Sequence, residues 1–177
     1  TALNIGSVSI NGGGGGIVIN GSNNDDTIRT FDSTSDLVPP PVAGTLLIAG
    51  LGADIYINGI VPGQAIDING QGGNDTFQSL GNAQSVLTFY GDSGDDTFVV
   101  THESALARFV GGAGLDTVNV SGTMQNDALI FQNSGANTLN FFDAFTLRAE
   151  IVQADSLVVN GLAGSDRIDA GAGNDTV

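Results

Sequence analysis

One frame repeats through this chain, and it restricts the possible folds more than any other feature. Around Asp75 the sequence reads DINGQGGNDTF, a Gly-rich turn between two apolar ends. The frame returns as VINGSNNDDTI at Asp26, LIAGLGADIY at Asp54, FYGDSGDDTF at Asp96, FVGGAGLDTV at Asp116, IFQNSGANTL at Asn137, VQADSL at Asp155 and IDAGAGNDTV at Asp175. Successive anchors lie 28, 21, 21, 20, 21, 18 and 20 residues apart. Two residues after each anchor stand Ile28, Tyr56, Phe77, Phe98, Val118, Leu139, Leu157 and Val177, all apolar. Seven residues before come Ile19, Leu47, Ile68, Phe89, Phe109, Ile130 and Ile168, with Arg148 the exception at the shortened Asp155 turn. Glycine stands two residues before the anchor at 52, 73, 94, 114, 135 and 173, and Thr or Ser follows it in seven copies.

Each unit reads as a short alternating segment, a turn and a second alternating segment, as in SVLTFY, GDSGDD, TFVV. Alternation carried by Val, Ile, Phe and Thr belongs to half-buried strands. A unit of about 20 residues cannot bury its own apolar face and must stack on its neighbours. The expected fold is all-β: a parallel β-helix or β-roll solenoid of about eight coils of ~20 residues, one domain over 1–177. The Pro-containing segment DSTSDLVPPPVAG reads as an inserted loop at about 32–44. The competing antiparallel sandwich would not require one constant register.

The turn admits three chemistries: a phosphate cradle, a bare corner or a metal turn. The chain has no lysine, so it lacks a Walker loop, and GDSGDD puts carboxylates where a phosphate would sit. A bare corner accounts for the glycines, because Gly, Asn and Asp supply positive φ. It does not account for an acid at nearly every anchor. Carboxylates stacked ~5 Å apart repel by about 1 kcal/mol in water and by more at lower dielectric. A hard cation relieves that repulsion, and Ca²⁺ accepts carboxylate and carbonyl oxygens in forgiving geometry. The overall balance agrees: 19 acidic residues against 4 arginines give a net charge of −15, which repels nucleic acid and anionic membrane surfaces. With no cysteine there is neither a disulfide framework nor a thiolate metal site. The longest apolar run, LLIAGLGADIYING, is broken by glycines and Asp54, so no membrane insertion is expected.

GGNDTF, GGAGLDTV and GAGNDTV resemble the glycine–aspartate nonapeptide of the RTX, or haemolysin-type, calcium-binding repeats, whose pattern is GGxGxDxUx. Tandem nine-residue spacing occurs between Asp166 and Asp175, and GTMQND at Asp127 lies eleven residues after Asp116. The resemblance implies Ca²⁺ held between the turns of successive coils of a β-roll. Carried over by position, it implies Asp75, Asp96 and Asp116 as a contiguous ladder of ligands, with Asp166 and Asp175 in matching motifs. Asp26 and Asp54 flank the inserted loop, and Asp95, Asp92 and Asp25 are additional acids in or beside the turns.

Catalysis finds little support. In THES, His102, Glu103 and Ser104 are consecutive, so neighbours on a strand would point to opposite faces. Arg148 and Glu150 share one strand face and are expected to pair at the surface or fill the shortened turn. The expectation is therefore a non-enzymatic, secreted, calcium-stabilised structural solenoid, belonging to an extracellular filament, sheath, surface layer or large adhesin. Low calcium inside the cell would keep the acidic ladder unfolded and high calcium outside would fold it. Its partners would be Ca²⁺, further copies stacked end to end through open solenoid ends, and a glycan or cell surface. The alternative is an accessory module of a secreted enzyme, or a β-helix acting on polysaccharide.

Overall fold

The structure, a computed structural model, describes residues 7–11, 15–32, 44–80, 85–102, 104, 106–135, 137–144 and 146–170. The interior of the expected inserted loop, Glu103 and Asp175 lie outside the described residues. The described chain is all strand and turn, without helix. Its first strands are β1 (Ser7–Asn11), β2 (Ile17–Asn20), β3 (Thr27–Phe31), β4 (Thr45–Ala49), β5 (Asp54–Asn58) and β6 (Ala65–Asn69). There follow β7 (Thr76–Ser79), β8 (Val86–Ser93), β9 (Thr97–Thr101), β10 (Ala107–Ala113) and β11 (Thr117–Ser121). The last are β12 (Ala128–Gly135), β13 (Thr138–Asp143), β14 (Thr146–Val152), β15 (Ser156–Asn160) and β16 (Arg167–Asp169).

These strands form two mixed sheets of eight, neither closed into a barrel. One runs β1-β5-β4-β3-β7-β9-β11-β15, the other β2-β6-β8-β10-β14-β13-β12-β16. Through the middle of the chain, successive strands alternate between the sheets. Thus β6, β8 and β10 are parallel neighbours in one sheet, and β7, β9 and β11 in the other. The register is that of the repeat: Thr76, Thr97 and Thr117 lie side by side, as do Phe77, Phe98 and Val118.

The core lies between the sheets. Phe77 stacks on Phe98 within one sheet at 5.4 Å, and Phe89 on Phe109 within the other at the same distance. Tilted contacts of 5.3 Å (Phe77–Phe89) and 4.9 Å (Phe98–Phe109) join the two columns across the core. Burying such rings supplies most of the stabilisation available to a chain of short strands.

Two copies of the repeat leave the stack. Asp54 begins β5, which pairs antiparallel with β4 and parallel with β1, while β4 pairs antiparallel with β3. Asn137 joins β12 and β13, which form an antiparallel meander with β14. Consequently β3 lies directly on β7 and β11 directly on β15, so the stack skips the intervening copies. The Asp127 turn also shifts the frame. Leu129 and Phe131 point inward, and Ile130, expected in the core, is only partly buried. A one-residue slip exchanges the two faces of a strand, and here the true anchor is Asp127.

Candidate functional site: stacked Gly–Asp turns

Four six-residue turns, 21–26, 70–75, 91–96 and 111–116, and the short turn at 153–155 lie over one another where the chain passes from the sheet of β2 to that of β3. Turns 122–127 and 161–166 lie over one another where it passes back. The anchor aspartates bind the turns together. The Asp26 N–H donates to Asp75 Oδ1 at 2.7 Å, the Asp75 N–H to Asp96 Oδ1 at 2.8 Å and the Asp96 N–H to Asp116 Oδ1 at 3.0 Å. The Asp116 N–H donates to Asp155 Oδ2 at 2.9 Å, and on the return edge the Asp127 N–H donates to Asp166 Oδ1 at 3.0 Å.

A second ladder, one residue earlier in each turn, runs the opposite way. Asp25 Oδ1 accepts the Asn74 N–H, Asn74 Oδ1 the Asp95 N–H and Asp95 Oδ1 the Leu115 N–H, all at 2.8–2.9 Å. Leu115 has no side-chain oxygen and ends it. On the return edge Asn126 Oδ1 accepts the Ser165 N–H. The 70–75 and 91–96 turns therefore cap backbone donors of the turns on both sides. Hydrogen bonds to a charged acceptor contribute more than neutral ones, about 1.5–3 kcal/mol each.

The anchors differ from the outer ladder in burial. Asp75, Asp96 and Asp116 are each 1% exposed, whereas Asn74 and Asp95 face solvent. With Oδ1 engaged, Oδ2 of all three is buried and has no hydrogen-bond partner. Burial pushes the Asp75 and Asp116 carboxyls upward, against the neighbouring amide donor that holds them down, and adjacent acids push them up further. The same causes, burial first, raise Asp96 to about 6.

The partnerless oxygens have a fixed neighbour. Gly70, Gly91 and Gly111 stand five residues before their anchors, and a Cβ on any of them would overlap that anchor's Oδ2. The same Cβ would lie 2.9 Å from the Gly91 carbonyl oxygen at Gly70, 2.6 Å from the Gly111 oxygen at Gly91, and against the Gln153 oxygen at Gly111. At each gap, then, a carboxylate oxygen and a backbone carbonyl oxygen occupy the same side of a glycine. Both are oxygen acceptors, and the carboxylate oxygen has no hydrogen-bond partner. Their donor chemistry suits a hard cation such as Ca²⁺. Among the described residues no three acidic or histidine side chains converge on one point, so any such ion would draw mainly on carbonyls.

The other expected ligands fall elsewhere. The Asp26 carboxylate accepts the Ser22 N–H at 2.8 Å and the Ser22 hydroxyl at 3.0 Å, both on Oδ2. Asp95 serves the outer ladder, with Asp25, and Asp92 Oδ2 accepts the Gln71 N–H at 3.2 Å. Asp166 accepts from Asp127 on the return edge. Asp54 lies outside both stacks of turns. Sequence reasoning missed Asp127 and Asn126 as anchor and outer-ladder residues. The signal that finds them is Gly-x₄-Asp, present at 21/26, 70/75, 91/96, 111/116, 122/127 and 161/166. The two copies that leave the stack carry Ala49 and Gln132 at the glycine position.

Elsewhere, Ser104 Oγ is buried and accepts the Thr101 N–H, so it closes a turn. Arg148 and Glu150 do not pair with each other. Glu150 meets Arg108 on the adjoining strand at 3.5 Å and Arg148 meets Asp143 at 3.8 Å, because cross-strand neighbours approach more closely than residues two apart on one strand. A cleft of about 600 Å³ opens where the Asn137 copy leaves the stack, lined by Gly112, Asn133, Asn137, Gln153 and Asp155 among others. No described helix is long and apolar enough to cross a membrane. No protein-family model matches this chain, and neither a curated protein nor a solved structure shows significant similarity to it.

Proposed function

We propose that this chain is a calcium-binding β-roll solenoid that serves a structural, non-catalytic role outside the cell. The observation that carries the reading is the row of three consecutive buried aspartates, each with a partnerless Oδ2 beside a backbone carbonyl. Asp75, Asp96 and Asp116 would hold the ions with the carbonyls of Gly91, Gly111 and Gln153. A bound cation would supply the positive charge that this buried column of acids lacks. Ligand binding to the folded state alone stabilises it, by about 2.7 kcal/mol at a hundredfold excess over Kd for one site. A chain with this ladder would thus be firm in millimolar calcium and weak without it.

The assembly half of the proposal is supported by strand direction. Following the pairings across each sheet, β1 runs parallel to β15 and β2 parallel to β16. A second copy, placed end to end, would meet a parallel edge strand in both sheets. Such heterologous contacts do not close and make filaments.

Calorimetric titration with Ca²⁺, combined with melting in Ca²⁺ and in chelator, tests the first half. Saturable binding with a large rise in melting temperature is expected. No binding heat and identical melts would refute it and leave the ladder as a row of corners. Electron microscopy in millimolar Ca²⁺ tests the second half, which strictly monomeric particles would overturn.

A further inference from the structure

The Gly–Asp turns are of two kinds, and the difference lies four residues before the anchor. In the turns of Asp26 and Asp127 that residue is Ser22 or Thr123. Its N–H and hydroxyl both reach the anchor: Thr123 N–H to Asp127 Oδ2 at 2.6 Å and Thr123 Oγ1 to Asp127 Oδ1 at 2.9 Å, as Ser22 does for Asp26. In the turns of Asp75, Asp96 and Asp116 the residue is Gln71, Asp92 or Gly112, with φ of 77°, 69° and 124°. Left-handed backbone there redirects the amide; that of Gln71 goes to Asp92 instead. In the Asp166 turn the residue is Leu162, at φ 64°, and its amide goes to Asn160 Oδ1; among the uncapped anchors Asp75, Asp96 and Asp116 have a buried, partnerless Oδ2.

We propose that the residue four before the anchor decides whether a turn takes a cation. Ser or Thr closes the turn on its own carboxylate and makes it cation-independent; a left-handed residue leaves it open to an ion. This rests on the calcium reading above and sharpens it. It leaves the gaps beside Asp75, Asp96 and Asp116 and the Asp166 turn open to ions, and excludes Asp26 and Asp127. Among the described Gly–Asp turns, each closed one is the first of its stack. A carbonyl of the next turn, Gly70 or Gly161, lies on the same side of Gly21 or Gly122 as the anchor Oδ2 there too, so the hydroxyl, not the carbonyl, is what sets these turns apart.

The test combines ion counting by equilibrium dialysis against Ca²⁺ with melting in chelator, on the full chain. Asp127→Asn should leave the number of bound ions unchanged, while Asp96→Asn should reduce it. In chelator, Ser22→Ala and Thr123→Ala should each lower the melting temperature by about 2–6 °C, the effect of losing a capping hydroxyl in a chain of this size. Gln71→Ala, where no cap exists, should lower it less than either. Loss of an ion in Asp127→Asn would overturn the proposal, as would unchanged melting of both capping variants. If the unsubstituted chain binds no Ca²⁺, the calcium reading fails, and the chelator melts still decide whether Ser22 and Thr123 cap their turns.

Discussion

Substituting Gly91 by alanine tests the geometry of the ladder directly. The φ angle at Gly91 is not in the left-handed region, so alanine meets no backbone obstacle there. The obstacle is the space: its Cβ would overlap Asp96 Oδ2 and lie 2.7 Å from Asp96 Cγ and 2.6 Å from the Gly111 carbonyl oxygen. Forcing a methyl into a filled site costs about 1–3 kcal/mol. Displacing the Asp96 carboxylate also strains or breaks its hydrogen bond from the Asp75 amide, worth about 1.5–3 kcal/mol. Reduced freedom of the unfolded chain offsets about 0.4–1 kcal/mol. The net loss is about 3 kcal/mol, or about 6–12 °C in melting temperature for a chain of this length. Gly72→Ala is the control. Its Cβ would come no closer than 3.3 Å to the Ser93 hydroxyl, with Asn23 Oδ1 and the Ser93 carbonyl oxygen at an ordinary 3.7 Å, so the melt should move by no more than ~2 °C. Both are measured by circular dichroism in chelator, which removes any bound cation from the comparison. Equal melting of the two variants would refute the claim that the carboxylate demands glycine at this position. Placing Gly91→Ala on an Asp96→Ala background should recover about 1 kcal/mol or more of the cost, because contacting residues are not additive. The recovery should be partial, since the Gly111 carbonyl remains.

The hydrophobic column and the pH response give two further tests. Phe98→Ala, which empties a fully buried site between Phe77 and Phe109, should cost about 3–5 kcal/mol in denaturant titration. Leu157→Ala, in the same column but 39% exposed, should cost under about 1.5 kcal/mol, and equal costs would contradict the core described above. As for pH, the folded state holds the Asp96 proton up to about 6, above its ordinary value of 3.8. A raised carboxyl pKa means that the folded state binds the extra proton, so stability in chelator is greatest near pH 4 and declines as pH rises through about 6. Saturating Ca²⁺ should reverse the slope over the same window, because the ion competes with the proton. A chelated chain that becomes more stable from pH 4 to pH 6.5, or whose pH response is unaltered by Asp96→Asn, would count against this.

Periodicity made the core legible. The residues two after and seven before the anchor in the central copies, Phe77, Phe98, Val118, Ile68, Phe89 and Phe109, are all buried as expected. The glycine two before the anchor was also readable, and its reason is steric. At Gly94 and Gly114, both with positive φ, a Cβ would run into the carbonyl of the glycine in the turn below. Periodicity could not reveal which copies stack, because it weighs every copy alike. In the six-residue stacked turns a position that the apolar columns do not include is glycine, as at Gly70, Gly91 and Gly111, where it leaves room for the carboxylate; the departing copies carry Ala49 and Gln132 there, and the shortened Asp155 turn stacks with Glu150. The frame shift at Asp127 was hidden for a related reason. Leu129, Ile130 and Phe131 are all apolar, so composition fits either face, and the register is set by the pairing of β12 with β13 and β16 together with the hydrogen bond from Asp127 to Asp166.

The choice between aspartate and asparagine at the anchor now has a structural basis. In the outer ladder Asp25, Asn74 and Asp95 are equivalent, since one oxygen accepts one amide and the rest of the side chain meets water. At the buried anchor the second atom matters. An asparagine there could accept through Oδ1 and direct one of its two Nδ2 hydrogens toward the adjoining carbonyl, with no charge to bury. Aspartate does the first and fails at the second. An unpartnered buried acceptor costs about 1–3 kcal/mol, and more when charged. Three consecutive turns accept that cost although a neutral residue of the same shape would avoid it. The acid strengthens the hydrogen bond it accepts from the adjoining turn but leaves a buried charge, and under the calcium proposal the partnerless oxygens of Asp75, Asp96 and Asp116 are where a cation would meet that charge.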